Sequence, residues 1–421
     1  MEHEERLAAG RLATDTLIDT VLHVEYVHRA IATRAFTFTD PVSLPVRFVH
    51  DGLTTGVYAL IRWAALTGGL IATELFGATG KSALPAGSTP RSNLALAALN
   101  AILGDELADQ GSPLAIPMSI RKSRADVAPQ HDDLAVAFPA ATPKVAVFLH
   151  GLSETEESWR LHADRQGGRE ESTYGSRLTE DFGFTPVYLR YNTGLHISEN
   201  GRHLNALLAA FIDAWPAGLD ELLLVGHSMG GLVARSACHQ AWEGGDSWVS
   251  AVRHVVYLGC PHLGAGLEQW VSRLSEALSK LHTSRPLAAV LDRRSAGIKD
   301  LHSGYLLEDD WRDSGARAKR RIHDVRLLPW AKHYAVSATV TTRRHGPLGQ
   351  VVGDLLVQPA SAQGGTRQGR HIPFPGENIC HLDGLHHFQL LNHPTVYEAI
   401  RGWLEPAHDG HPEVGPVSVN G

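Results

Sequence analysis

Short apolar runs alternate with helical patterns from about residue 143 to residue 405. The runs that predict buried strands are 145–149, 185–190, 222–225, 252–258 and 334–340. Helices are predicted over about 199–215 and 395–404, and strands separated by helices are typical of βαβ units. The pattern therefore predicts an α/β fold, with a mostly parallel central sheet that is covered by helices on both faces.

The first 140 residues follow a different pattern, which predicts a helical N-terminal extension ending in an extended stretch. Apolar residues spaced as on one helix face are Leu17, Val21, Val24, Val27 and Ile31. A second helix is predicted over about Asn93–Leu103, with Ser92 as its N-cap and Gly104 as its stop. We therefore predict three parts, which are the extension 1–140, a main domain 141–406 and a polar, disordered tail 407–421.

Two stretches of this extension have some features of a binding or membrane segment. Gly80-Lys81-Ser82 lies in a loop rich in Gly, Ser and Pro, but a phosphate-binding loop would need a glycine where the chain has Leu75. The apolar segment 52–73 is interrupted by Arg62, and a spanning helix needs about 20 mostly apolar residues. We therefore predict no nucleotide site and a buried or amphipathic helix, with peripheral membrane contact as an open alternative.

The composition of the 421 residues is that of a soluble globular protein, with 43% hydrophobic and 20% charged residues. A net charge of −7 and the absence of a long basic run argue against nucleic-acid binding. Three scattered cysteines, Cys238, Cys260 and Cys380, form neither a disulfide framework nor a C-x-x-C motif. Because the acidic N-terminus also lacks the features of a signal peptide, we expect a cytoplasmic protein.

The most informative motif is Gly226-His227-Ser228-Met229-Gly230, which follows a predicted buried strand and precedes a helical segment. G-x-S-x-G at a strand-to-helix junction allows a sharp turn that exposes a nucleophilic serine, and the glycines leave room for the strained backbone. The motif predicts Ser228 as a nucleophile. The alternative is a Gly-rich turn with an idle serine.

A serine hydroxyl needs a base, an acid that orients the base, and donors for the oxyanion. When the nucleophile lies on such a turn, the chain order is Ser, then Asp or Glu, then His. The acid is predicted to be Asp354, which follows the late strand 334–340 by a loop, while Asp309, Asp310 and Asp383 stay open as alternatives.

The base is predicted in the loop before the last helix, where His386 and His387 are adjacent and compete for the role. Together with His381 and Asp383, these two histidines also allow a metal-site interpretation. Their spacing matches no ligand pattern of defined geometry, so we predict neither a metal nor a cofactor.

Two backbone N–H groups are predicted to form the oxyanion hole. One belongs to Met229, and the other to Leu152, which follows His150-Gly151 at the end of the first buried strand. We expect His150, Gly151 and His227 to line the substrate site.

An insertion over 265–325 interrupts the late part of the main domain. Its apolar stripe predicts a helix, and Trp270 and Leu274 on that stripe are candidates for an apolar wall that contacts an acyl chain. The same stripe is equally compatible with a helix that simply packs on the core.

Together these segments resemble the α/β-hydrolase superfamily, and more narrowly its bacterial lipase and carboxylesterase branch, related to GPI-inositol-deacylase-like and triacylglycerol-lipase-like proteins. The segments that carry the resemblance are His150–Leu152, Gly226–Gly231, Gly259–Gly264, Gly353–Val357 and His387–Leu391. In the third segment, Cys260 stands where those lipases usually carry Thr. After the fourth, Gln358-Pro359 departs slightly from the family pattern.

The resemblance implies an α/β-hydrolase fold with a cap insertion, and hydrolysis of an ester or lipid-like small molecule through an acyl-enzyme on Ser228, Asp354 and His387. It favours His387 over His386, because the family's histidine immediately precedes an aromatic-x-Leu-Leu run. Acyltransferase, thioesterase or amidase chemistry on the same residues stays open. A different class would be a non-catalytic scaffold that uses residues 1–140 to bind a partner or a membrane.

Overall fold

The computed structural model describes residues 90–163, 172–264, 295–312, 323–340, 354, 356–365 and 371–405. Several predictions lie outside the described residues, namely the helix at 17–31, the apolar segment 52–73, the cap residues Trp270 and Leu274, and the tail 407–421.

Eight strands form one sheet in the order β2-β1-β4-β3-β5-β6-β7-β8. The strands are β1 (Ser119–Lys122), β2 (Ala125–Val127), β3 (Lys144–Leu149), β4 (Thr185–Arg190), β5 (Glu221–His227), β6 (Val252–Leu258), β7 (Lys332–Thr339) and β8 (Ile379–Asp383). Strands β3 to β8 run parallel to their neighbours among themselves, whereas β1 is antiparallel to both β2 and β4. The mostly parallel sheet confirms the predicted fold class.

Nine helices are present among the described residues, and they flank the sheet. They are α1 (Pro90–Asp109), α2 (His131–Ala137), α3 (Tyr174–Phe182), α4 (Ile197–Asp213), α5 (Met229–Gly244), α6 (Ala296–Ser303), α7 (Glu308–Arg312), α8 (Pro359–Ala362) and α9 (Pro394–Leu404). None of these described helices is long and apolar enough to cross a lipid bilayer.

The central strands bury both of their faces, which explains their continuous apolar sequences. In β3, Val145, Val147 and Leu149 belong to one core cluster, whereas Ala146 and Phe148 belong to a second cluster on the opposite face. Helices α4 and α5 contribute to the first cluster, and α3 and α9 contribute to the second. The hydrophobic pattern therefore predicts β3 to β7 but misses β1, β2 and β8, which are short and carry polar residues.

The prediction that Gly104 stops its helix is wrong, because α1 continues to Asp109. A Cβ atom on Gly104 would lie 1.9 Å from Asn192 Oδ1, and the Asn192 amide donates a 2.8 Å hydrogen bond to the Gly104 carbonyl. The glycine therefore permits a close contact inside the helix. The helix ends at Asp109, and just beyond it Gly111 has a φ of 60°, while the N–H groups of Gly111 and Ser112 donate to carbonyls of the last turn.

The sheet and the helix α1 both begin upstream of residue 141, where the sequence pattern changes. Strand β1 pairs with β4, so residues assigned to the extension are part of the central sheet. Helix α1 also contacts the described part of the insertion. The Ser295 Oγ donates to the Ala101 carbonyl at 2.7 Å, and the Ala296 N–H donates to Asp105 at 2.8 Å. Strand β1 therefore adds Ile120 to the first core cluster, and α1 packs against α6.

Candidate active site

Ser228 occupies a sharp turn between β5, which ends at His227, and α5, which begins at Met229. Its φ of 52° and ψ of −120° lie in a region that a residue with a side chain rarely adopts. The Ser228 N–H donates a 2.8 Å hydrogen bond to the Leu258 carbonyl of β6, which holds the turn against the neighbouring strand. The structure thus gives Ser228 the strained strand-to-helix turn that the motif predicts.

The glycines beside Ser228 are explained by close approach of the backbone. A Cβ atom on Gly230 would lie 2.3 Å from the Leu149 carbonyl oxygen, and one on Gly226 would lie 2.4 Å from the Gly231 Cα. Either side chain would push the first turn of α5 away from the sheet, so the motif's glycines are needed to hold the serine where it is.

Asp354 and His387 form a buried pair close to this turn. The His387 Nδ1–H donates a 2.7 Å hydrogen bond to Asp354 Oδ2. Asp354 Oδ1 accepts hydrogen bonds from the N–H groups of Leu356 at 3.0 Å and Val357 at 2.7 Å, and the Asp354 carbonyl accepts one from the His387 N–H at 3.1 Å. With the proton held on Nδ1, the other ring nitrogen, Nε2, is left as an acceptor.

The surroundings of His387 favour its protonated form. Burial alone lowers the pKa of His387, but the charge and hydrogen bond of Asp354 and the charge of Glu154 act against burial and leave the pKa above its ordinary value. Among the described residues, His387 Nε2 has no hydrogen-bond partner, so no bond joins it to Ser228. Catalytic hydrogen bonds are often long or poorly aligned without substrate.

The neighbouring His386 has a different role. Its side chain accepts from the Gln389 N–H, while its own N–H donates to Gln389 Oε1 at 2.9 Å, so it caps the 3₁₀ turn His387–Leu390. It is His387 that pairs with Asp354.

Two of the alternative acids are bound elsewhere. Asp310 accepts from the N–H groups of Leu306 and Leu307, and Asp383 accepts from the Thr339 hydroxyl. Among the described residues, no group of three or more His, Cys, Asp or Glu side chains is arranged to hold a metal ion.

The two predicted oxyanion donors belong to two segments that meet at Ser228. The Met229 N–H is the first of α5, and the first N–H groups of a helix have no partner within it. Leu152 follows Gly151, whose backbone is so close to the serine that a Cβ atom on Gly151 would lie 3.0 Å from Ser228 Cβ. Among the described residues, the Leu152 N–H donates to no other group.

His150 was predicted to contact substrate, but the structure engages both of its ring nitrogens with the backbone. Nε2 accepts from the Tyr191 N–H at 3.3 Å, and Nδ1–H donates to the Gly151 carbonyl at 2.9 Å. The ring is completely buried and stacks on Tyr191 with 4.4 Å between centroids, and burial lowers its pKa. His150 therefore holds the end of β3 in place, and both of its ring nitrogens have backbone partners.

His227 is also completely buried, and it contacts a carboxylate that the sequence analysis misses. Glu154 Oε1 lies 2.8 Å from His227 Nδ1, and Glu154 Oε2 accepts a 2.9 Å hydrogen bond from the Gly151 N–H. Burial alone raises the pKa of Glu154, but His227, the Gly151 N–H and His150 together lower it to about 2. Glu154 is therefore a buried anion.

The sequence carries little that distinguishes Glu154. It is one of three glutamates within four residues, and Glu157 of the same run is partly exposed. The one available signal is its position, four residues after His150 in the loop that follows β3.

A cavity of about 1260 Å³ lies away from Ser228, over β1, β4 and α3. Its lining includes Arg121, Phe138 and Tyr188 together with part of Trp159. The Trp159 ring is almost completely buried and packs edge-on against Phe148 at 4.9 Å, so this tryptophan fills the core.

Residues 145–322 match the family model of the PGAP1-like alpha/beta domain. No curated protein sequence matches the chain.

The chain is also distantly similar to solved structures. An esterase of Pyrococcus furiosus is 14% identical with a TM-score of 0.37, covering 63% of this chain and 84% of that one. The carboxylesterase EstE1 from a metagenomic library is 16% identical with a TM-score of 0.35, covering 63% and 82%. Esterase B from Lactobacillus rhamnosis is 15% identical with a TM-score of 0.34, covering 63% and 76%.

Proposed function

We propose that this member of the α/β-hydrolase superfamily is a serine hydrolase that cleaves carboxylic esters through an acyl-enzyme. The proposal is supported chiefly by the strained Ser228 turn and the buried Asp354–His387 pair, which follow different strands of one parallel sheet. Ser228 follows β5, Asp354 comes after β7, and His387 comes after β8. The carboxyl ends of parallel strands meet at one edge, where ligands bind in open α/β sheets.

In the proposed mechanism, the Ser228 hydroxyl attacks the acyl carbon while His387 Nε2 takes its proton. Asp354 keeps the imidazole in the tautomer that has Nδ1 protonated and stabilises the imidazolium that forms. A raised pKa of His387 suits this step, because the base has to hold the proton until it passes to the leaving alcohol.

The negative charge that develops on the acyl oxygen is proposed to be bound by the N–H groups of Leu152 and Met229. Backbone donors fixed in this way are typically worth about 10²–10³ in rate each. Water, activated by His387 in turn, would then release the acid and restore the Ser228 hydroxyl.

The test compares wild-type protein with Ser228→Ala on p-nitrophenyl esters of increasing acyl length. We expect Ser228→Ala to lower kcat by at least about 10³-fold, and a fluorophosphonate to label the wild type alone. Ser250→Ala is a matched control, because Ser250 is exposed and bonds only within its own turn. Equal turnover by the wild type and Ser228→Ala would overturn the proposal, and the acyl-length profile would identify the preferred substrate.

A further inference from the structure

Glu154 is a buried carboxylate that the mechanism above does not use. A buried carboxylate is costly unless its oxygens are paired, and both oxygens of Glu154 have a close contact. One contact is to the loop that carries Leu152, and the other is to the strand end that carries Ser228.

The first contact closes the loop after β3 on itself. The Glu154 N–H donates to the Gly151 carbonyl at 3.2 Å, while the Glu154 side chain accepts from the Gly151 N–H at 2.9 Å. Both peptide groups of Gly151 are thereby held, and the second of these peptide groups carries the Leu152 N–H. An oxyanion donor is effective only when its direction is set before the reaction, so this contact bears directly on the proposed site.

The second contact joins that loop to the turn at Ser228. His227, which immediately precedes Ser228, lies 2.8 Å from Glu154 Oε1, and its ring is 4.7 Å from the His387 ring between centroids. Among the described residues, neither ring nitrogen of His227 makes an aligned hydrogen bond. The contact therefore brings the Glu154 carboxylate against the His227 ring, which itself lies next to the ring of His387.

We propose that Glu154 is a positioning residue for the hydrolysis proposed above, which clamps the Leu152 loop to the Ser228 turn and stabilises the His387 imidazolium through its negative charge. The inference rests on the proposed function. The charged and titratable groups that face His387 are Asp354, Glu154 and His227, and those that face Glu154 are His227 and His150. Burial is the largest single influence on the pKa of His387 and lowers it, whereas both carboxylates raise it.

Two substitutions separate the two parts of the role. Glu154→Gln keeps an oxygen that can accept from the Gly151 N–H but removes the charge. We expect it to move the acid limb of the kcat/KM profile about 0.5–1 pH unit lower, because the pKa of the base falls. Glu154→Asp keeps the charge but is one methylene too short to reach both partners. We expect it to lower kcat about tenfold or more at nearly constant KM, with the acid limb in place.

Glu157→Gln is the matched control, because it removes a partly exposed carboxylate of the same loop that pairs with Arg124. The kcat and the pH profile of kcat/KM of this variant should match those of the wild type. The proposal is overturned if folded Glu154→Gln and Glu154→Asp both keep the wild-type kcat and acid limb. Should Glu154→Gln not fold, Glu154→Asp decides alone, and an unchanged kcat counts against the proposal.

Fluorophosphonate labelling separates this result from a failure of the proposed function. A wild type that labels at Ser228 and turns over esters, together with Glu154 variants of unchanged profile, would overturn only the role of Glu154. A wild type that neither labels nor turns over any ester would overturn both.

Discussion

Two buried carboxylate–histidine pairs lie beside Ser228, and they differ in how the histidine is held. His387 Nδ1 and Asp354 Oδ2 are 2.7 Å apart in an aligned hydrogen bond, whereas His227 Nδ1 and Glu154 Oε1 are 2.8 Å apart without one. The second oxygen of Asp354 accepts hydrogen bonds from two N–H groups of its own turn. The second oxygen of Glu154 accepts one from the Gly151 N–H, in the loop that carries a proposed oxyanion donor.

Similar distances between a carboxylate and a histidine do not mean similar roles. An aligned Nδ1–H bond fixes a tautomer, which is what a general base needs. A close contact without an aligned hydrogen bond fixes no tautomer, but it joins two backbone segments, and the Glu154 carboxylate adds negative potential near His387. We therefore expect the first pair to govern proton transfer and the second to govern the shape of the site.

The largest difference between the two pairs is expected for Asp354→Asn. The amide is nearly the same size but cannot hold the proton on His387 Nδ1 in the same way, so we expect kcat to fall about 10⁴-fold. This loss should far exceed that of Glu154→Gln, measured by steady-state kinetics on the same ester. Equal losses would mean that the two pairs have the same role.

A smaller effect is expected from Gly151→Ala, which adds a side chain to the backbone that Glu154 contacts. The new Cβ would lie 2.8 Å from Glu154 Oε1 and 3.0 Å from Ser228 Cβ, so the loop would have to move. We expect kcat to fall about 10²-fold, as for the loss of one oxyanion donor.

Gly376→Ala is the control for this experiment, because nothing surrounds the position where its Cβ would lie. A Gly151→Ala enzyme with the wild-type kcat would show that the loop tolerates displacement and would contradict the clamp.

The smallest expected effect is on stability, where the pairs should respond to pH in opposite directions. The pKa of Glu154 falls from 4.5 to about 2 on folding, so its contribution is present above pH 4.5 and is lost as the pH falls towards 2. The pKa of His387 is raised above 6.5, so its contribution is present below pH 6.5 and is lost as the pH rises through the raised value.

The pH dependence of the unfolding temperature, Tm, measures both contributions. Between about pH 5 and pH 3, Tm should fall more for the wild type than for Glu154→Gln, and between about pH 6 and pH 8 more for the wild type than for His387→Gln. Parallel Tm curves for the wild type and the variant in either range would show that the substituted residue does not contribute to the pH dependence of stability there.

The sequence predicts those parts of the fold in which one local requirement, such as burial or close backbone packing, decides the residue type. Strands β3 and β5 are buried on both faces and form apolar runs, and the turn at Ser228 needs glycines for close packing. His387 and Asp354 lie at predictable places in the chain order of this fold. Each of these signals is local, so one segment is enough to recognise it.

The parts that escape prediction depend on partners distant in sequence. The sequence predicts Gly104 as a helix stop because it does not show the close contact with Asn192. It also does not show that the ring nitrogens of His150 are bonded to the backbone of Tyr191 and Gly151. Glu154 is indistinguishable from a surface glutamate until folding brings β5 beside its loop. A pattern of polar and apolar positions cannot carry this information, because the pairing is set by the topology of the sheet.

The conformation at Ser228 also bears on how far this protein can be stabilised. A side chain at a φ of 52° costs of order 1–3 kcal/mol, which the rest of the fold has to offset. Substitutions that relax the backbone there would favour a sturdier molecule and displace the hydroxyl in the same movement. Selection for heat resistance and selection for turnover therefore pull in opposite directions at this one residue, and gains in robustness have to come from elsewhere in the chain.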